Sequence, residues 1–105
     1  MRYDFHPEAL EEYRLTSLWY ANNEPGLAVR FIEAVEETIR RIVEAPTRWR
    51  LVEEDIRRCL TRRFPYGVLY TMEPDRIVIV AVMHCSREPG YWKTRVVHPS
   101  HPDGD

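Results

Sequence analysis

The sequence predicts an α+β fold: a two-layer sandwich with a hairpin of two helices packed on a mainly antiparallel four-stranded sheet, in the order β-α-α-β-β-β. Three observations lead there. Apolar residues follow a three-four spacing from Leu27 to Ala45, the signature of an amphipathic helix. The run Ile77-Val78-Ile79-Val80-Ala81-Val82 is β-branched almost throughout, which favours a strand. Glu73-Pro74-Asp75 is turn chemistry between that run and the stretch Pro65 to Met72, so the two form a hairpin.

Taken in order, Tyr3 to Phe5 alternates briefly as a first strand and is stopped by His6-Pro7. Proline suits the first turn of a helix, and Glu8, Glu11 and Glu12 lie near the positive end of its dipole. The first helix, Pro7 to Ala21, is expected to turn Leu10, Tyr13, Leu18 and Ala21 inward, widened by Trp19 and Tyr20. Asn22 to Gly26 makes a turn, with Asn23 or Glu24 as cap and Pro25 near the first position of the next helix. The second helix carries Ala28, Phe31, Ile32, Val35, Ile39, Ile42 and Val43 on one stripe. Glu36–Arg40 and Glu37–Arg41 are spaced to pair along its outer face, and Pro46 ends it. Ile56 to Thr61, Pro65 to Met72 and Arg76 to Met83 follow as strands. A strand apolar on both faces, such as the last, belongs in the interior of its sheet. Residues 1–96 therefore make one domain, and 97–105, rich in Pro and polar residues, read as a flexible C-terminal tail.

Hydrophobic content of 44% and aromatic content of 11% fit an ordinary globular domain. No apolar run approaches the roughly 20 residues of a membrane span, and Met1 to Phe5 lacks the apolar stretch of a secretory leader. The expectation is a soluble cytoplasmic protein with no membrane contact. Cys59 and Cys85 have no ligand spacing, and His98 and His101 lie apart from them in the tail, so neither a metal nor a cofactor is expected. The net charge of -2 hides an asymmetry. Residues 1–46 hold nine acidic groups against five Arg, whereas 47–105 hold ten basic groups against eight acidic. Arg48, Arg50, Arg57, Arg58, Arg62 and Arg63 form the densest basic stretch, which points to a face for an anionic partner.

Two segments carry a resemblance: Arg62-Arg63-Phe64-Pro65-Tyr66-Gly67-Val68-Leu69-Tyr70, and His84-Cys85-Ser86-Arg87-Glu88-Pro89-Gly90-Tyr91-Trp92, with the apolar strand between them. Together with Phe5-His6-Pro7-Glu8-Ala9 at the start of the first helix, this ordered set resembles the RelE/ParE superfamily of bacterial type II toxins over roughly Tyr3 to Arg95. The resemblance implies a toxin neutralised by a cognate antitoxin, which meets operator DNA only within the antitoxin complex. The ending His84, Arg87, Pro89, Trp92 is more similar to the ParE side, whose members bind and poison DNA gyrase. The other branch cuts mRNA on the ribosome without a metal. A third outcome is a repurposed homologue that binds its partner without toxicity.

Under the RNase alternative, Arg87 would stabilise the charge that builds on the phosphorane, and Tyr91 or His84 would handle the proton. Gly67 departs from that pattern, for the RNases place a catalytic Arg there. Under the binding alternative, the candidates are Arg57, Arg58, Arg62, Arg63, Trp92 and Trp19. Each also has a plainer reading. The arginines suit a solvated strand face, His84 a hydrogen-bonded turn, Tyr66 and Tyr70 core packing, and Trp92 a pin that holds the C-terminal segment on the sheet. Exposed aromatics such as Trp19 commonly anchor partners.

Overall fold

The computed structural model describes residues 1–96; the tail at 97–105, with His98 and His101, lies outside the described residues. Strand β1 (Arg2–Phe5) leads into helix α1 (Pro7–Asn23) and helix α2 (Pro25–Glu44). Strands β2 (Arg50–Glu53), β3 (Ile56–Leu60), β4 (Tyr66–Glu73) and β5 (Arg76–His84) follow, then a short 3-10 turn at Lys93–Arg95. The sheet order is β1-β5-β4-β3-β2, with β1 parallel to β5 and every other pairing antiparallel. The α+β sandwich and its helix hairpin are as expected, but the sheet has five strands, not four. The added strand, Arg50-Leu51-Val52-Glu53, is short and charged at both ends, as edge strands often are.

Helix α1 starts at His6, whose Nδ1 accepts the Glu8 N–H at 3.1 Å, with Pro7 in the first turn. Its inward face differs from the expected one. Ala9 and Tyr13 are buried, while Leu10, Leu18 and Ala21 are exposed. Helix α2 follows its apolar stripe closely, burying Ala28, Phe31, Val35, Ile39 and Ile42, although Ile32 stands out in solvent. Phe31 is the hub: its ring meets Tyr13, Tyr20, Phe64 and Tyr66, with centroids 5.0 to 6.1 Å away. Glu36 accepts a 2.8 Å hydrogen bond from the Tyr13 hydroxyl instead of pairing with Arg40, which bonds Glu37.

Strand β5 has one residue more than its partner. Leu69 faces Ala81 but Tyr70 faces Ile79, so Val80 is a bulge. Val80 and Ala81 consequently both face away from the helices, packing with Ile56, Leu69 and Trp92 in a second apolar cluster. Trp92, a candidate for a binding surface, is 4% exposed and packs within this cluster. Its burial folds the segment after β5 back across the open face of the sheet.

Candidate functional site

Beyond Phe5, β1 no longer accompanies β5, and the edge of β5 needs other partners. Glu12 of α1 accepts the Val82 N–H at 3.1 Å, and Arg95 donates to the Val80 carbonyl at 3.0 Å. The two side chains join each other at 2.8 Å, and Arg95 is 7% exposed. One ion pair thus closes the sheet edge, ties α1 to the C-terminal segment, and satisfies backbone groups that burial would otherwise leave unpaired.

The proposed RNase residues lie around this lock. Tyr91 has the Arg87 guanidinium over its ring at 3.9 Å and that of Arg95 at 5.0 Å. Its hydroxyl is buried beside Glu12, with no well-aligned hydrogen-bond partner among the described residues. Burial first, and then the Glu12 carboxylate, push its pKa far above that of an ordinary phenol. His84 is exposed at the end of β5; its Nδ1 takes the Ser86 N–H at 3.0 Å and lies 2.8 Å from the Ser86 hydroxyl. A neutral imidazole so held carries its proton on Nε2. Arg87 and His84 are brought into one turn, Arg87 N–H to His84 carbonyl at 2.9 Å, while the Tyr91 hydroxyl faces inward.

The basic residues do not form one cluster. Arg57 and Cys59 face the helices, whereas Arg58 and Leu60 face the open side, because neighbours on a strand alternate. The Arg58 stem lies across Gly67, where an added Cβ would meet its Cδ at 3.1 Å. The space over Gly67, where the RNases carry an Arg, is therefore occupied by an arginine from the neighbouring strand. Arg62 and Arg63 sit in the β3–β4 turn and line a groove of about 730 Å³ with Arg30, Glu37, Tyr20 and Phe64. Arg63 has a φ of 68°, a conformation seen mostly in turns.

A second arrangement joins the candidate Arg57 and its neighbour Arg48 to Trp49 and Arg41, which the sequence did not single out. Trp49 carries Arg41 at 5.4 Å and Arg48 at 5.1 Å from its ring, and accepts a 2.7 Å hydrogen bond from Arg57 at its carbonyl. No local pattern announces it, because Arg41 meets Arg48 and Trp49 only through the turn that follows α2. Trp19 is 55% exposed on α1, in line with Leu15 and Leu18, which are also exposed. Cys59 is buried and Cys85 exposed, and among the described residues no group of His, Cys, Asp or Glu is placed to hold a metal. No described helix is long and apolar enough to cross a membrane.

With these features in place, the likeness to known proteins is specific. A chromosomal ParDE toxin–antitoxin structure from P. aeruginosa superposes with a TM-score of 0.70 at 12% identity, over 80% of this chain and 95% of that one. This shows a shared fold. No curated protein sequence matches the chain significantly. The family model described as "ParE toxin of type II toxin-antitoxin system, parDE" matches residues 3–89. The chain belongs to the ParE toxin family of type II toxin–antitoxin systems.

Proposed function

We propose that this toxin acts in the cytoplasm by binding and inhibiting a target such as DNA gyrase, and that a cognate antitoxin neutralises it. The observation that carries the reading is the Tyr91 hydroxyl, buried beside Glu12 on a ring that two guanidinium groups contact. A proton donor for RNA cleavage must reach its leaving oxygen, and this one faces the protein interior with its acidity suppressed. Arg87, stacked on that ring, then positions the C-terminal segment. The exposed stripe of Leu15, Leu18 and Trp19 supplies the apolar anchor that a protein partner needs.

The test is inducible expression without antitoxin, read in parallel for plasmid supercoiling and for transcript ends. Relaxed plasmid and induction of DNA-damage repair, with intact transcripts, support the proposal. Transcripts cut within codons would replace it with ribosome-dependent mRNA cleavage, and normal growth would point to a non-toxic binding module. Tyr91→Phe is expected to stay toxic, and its loss of toxicity with an unchanged fold would return Tyr91 to a catalytic role.

A further inference from the structure

The sheet order turns the charge asymmetry of the sequence into a spatial one. Asp4 and Asp75 lie at the β1 edge, with Glu8, Glu11 and Glu12 on α1 beside it. Arg48 and Arg50 at the start of the β2 edge, with Arg57 and Arg58 on the adjoining β3, lie about 15–19 Å away across the sheet. Glu53, Glu54 and Asp55 occupy the far end of that edge. On the helix side of that edge, Arg41 and Arg48 flank Trp49, and Arg57 is bonded to its carbonyl. Arg62 joins them, sharing the single carboxylate of Glu37 with Arg41 at 4.0 and 3.9 Å. The same geometry brings Arg41, Arg62 and Arg48 near the buried Cys59 thiol, where they oppose the rise in pKa that burial imposes. On the open side, Arg50 stands directly opposite Arg58. The edge therefore carries guanidinium groups on both faces.

We infer that this edge binds the phosphodiester backbone of a nucleic acid, with the arginines around Trp49 at its centre. Arg48, exposed and stacked on the indole, keeps its orientation while its N–H edge is turned to solvent for phosphate oxygens. Arg41 and Arg57, which donate to the Leu60 and Trp49 carbonyls, hold that platform in place. An acidic peptide fits less well. Exposed ion pairs contribute at most about 1 kcal/mol each, so a peptide needs an apolar pocket as well. Nucleic acid gains from counter-ion release, which works for arginines that stay solvated and wrap an edge. The inference does not depend on which target the toxin poisons, because a nucleic acid is present in both gyrase and ribosome complexes.

The test is fluorescence anisotropy of the purified full-length protein with a DNA duplex of about 20 base pairs, a single-stranded RNA of equal length, and polyglutamate, from about 50 mM salt upward. Nucleic acid should bind with a log–log salt slope of about -3 to -4, near -0.9 per phosphate engaged. Reversing Arg48→Glu and Arg62→Glu, both exposed, should weaken binding at least about tenfold and flatten the slope by about 2. The control Arg2→Glu with Arg14→Glu makes the same change in net charge at the acidic edge, and should change affinity less than about threefold. Tighter binding of duplex or of RNA identifies which backbone is met, and either supports the inference. It is overturned if neither binds at low salt, if polyglutamate and not nucleic acid is bound, or if the two double variants weaken binding equally. Circular dichroism of each variant excludes loss of fold as the cause.

Discussion

The two edges of the sheet use arginine in opposite ways. At the β1 edge, Arg76 bonds Asp4 at 2.8 Å and Glu73 at 3.0 Å, and nearby Arg95 is enclosed against Glu12. At the β2 edge, Arg41 donates to the Leu60 carbonyl at 3.1 Å and is structural in the same way, but Arg62 reaches the Glu37 carboxylate only at 4.0 Å and Arg48 lies exposed against the Trp49 ring. Both edges must avoid pairing with stray strands. The first does so by satisfying its backbone groups, the second by presenting cations. What tells a structural arginine from a binding one is the supply of carboxylate and backbone acceptors around it, and residue type alone does not.

The largest effect expected from this contrast is at the closed edge. Arg95→Ala leaves Glu12 in a largely enclosed site and the Val80 carbonyl unpaired, and should cost about 3–5 kcal/mol in urea unfolding. Glu12→Gln should cost less, since the amide oxygen can still accept the Val82 N–H. A loss below about 1 kcal/mol for Arg95→Ala would show that the pair does not hold the edge.

Alkaline titration separates the edges by the sign of their charge. Burial raises the pKa of Tyr13, Tyr70 and Tyr91 alike. Glu36 and Glu12 add to the rise for Tyr13 and Tyr91, whereas Arg57 opposes it for Tyr70, which reaches about 12. A phenol raised in the folded state stabilises fully below its unfolded pKa near 10, and that stability drains as pH rises toward 12. Tyr70 alone should therefore remove about 2–3 kcal/mol over this window. Tyrosinate absorbance should show Tyr13, Tyr70 and Tyr91 ionising only with unfolding. Titration of all six tyrosines together near pH 10, with the fold intact, would contradict the burial argument.

At the open edge the stability effect should be small. Arg48→Glu and Arg62→Glu are each expected to change unfolding free energy by less than about 0.5 kcal/mol, because neither gives up a short ion pair. A larger loss would mean that the basic edge is structural too.

Much of this contrast was legible in the sequence, and the illegible parts share physical reasons. The stripe of α2 and the β4–β5 hairpin could be read because burial imposes one period on each. The bulge at Val80 left no trace, since every residue from Ile77 to Met83 is apolar and a slip in facing changes nothing in the pattern. Strand β2 was hidden by its charges. Helix α1 misled because its exposed Leu10, Leu15 and Leu18 outweigh the small Ala9 that packs inside. The basic stretch was found, but its division between faces follows only once Arg57 and Arg58 are placed on a strand. Trp49 gathers its arginines across a turn, and Trp92 owes its burial to a chain reversal after Gly90; no local pattern announces either.

The smallest prediction tests how firmly the open face is built. An Ala side chain at Gly67 would stand 3.1 Å from Cδ and 3.2 Å from Cγ of Arg58, both in a flexible stem that can shift by a few tenths of an ångström. Replacing a mid-strand glycine gains about 0.5–1 kcal/mol in chain entropy, so Gly67→Ala should come out within about 0.5 kcal/mol of neutral. In an Arg58→Ala background the two tight contacts are gone and the Leu60 methyl, at 3.5 Å, is an ordinary contact, so the same substitution should then stabilise. The double-mutant cycle isolates the crossing of Arg58 over Gly67 from everything else on that face. A coupling of zero would mean that the stem lies there by chance, and that Gly67 is not what lets an arginine cross the sheet toward the open side.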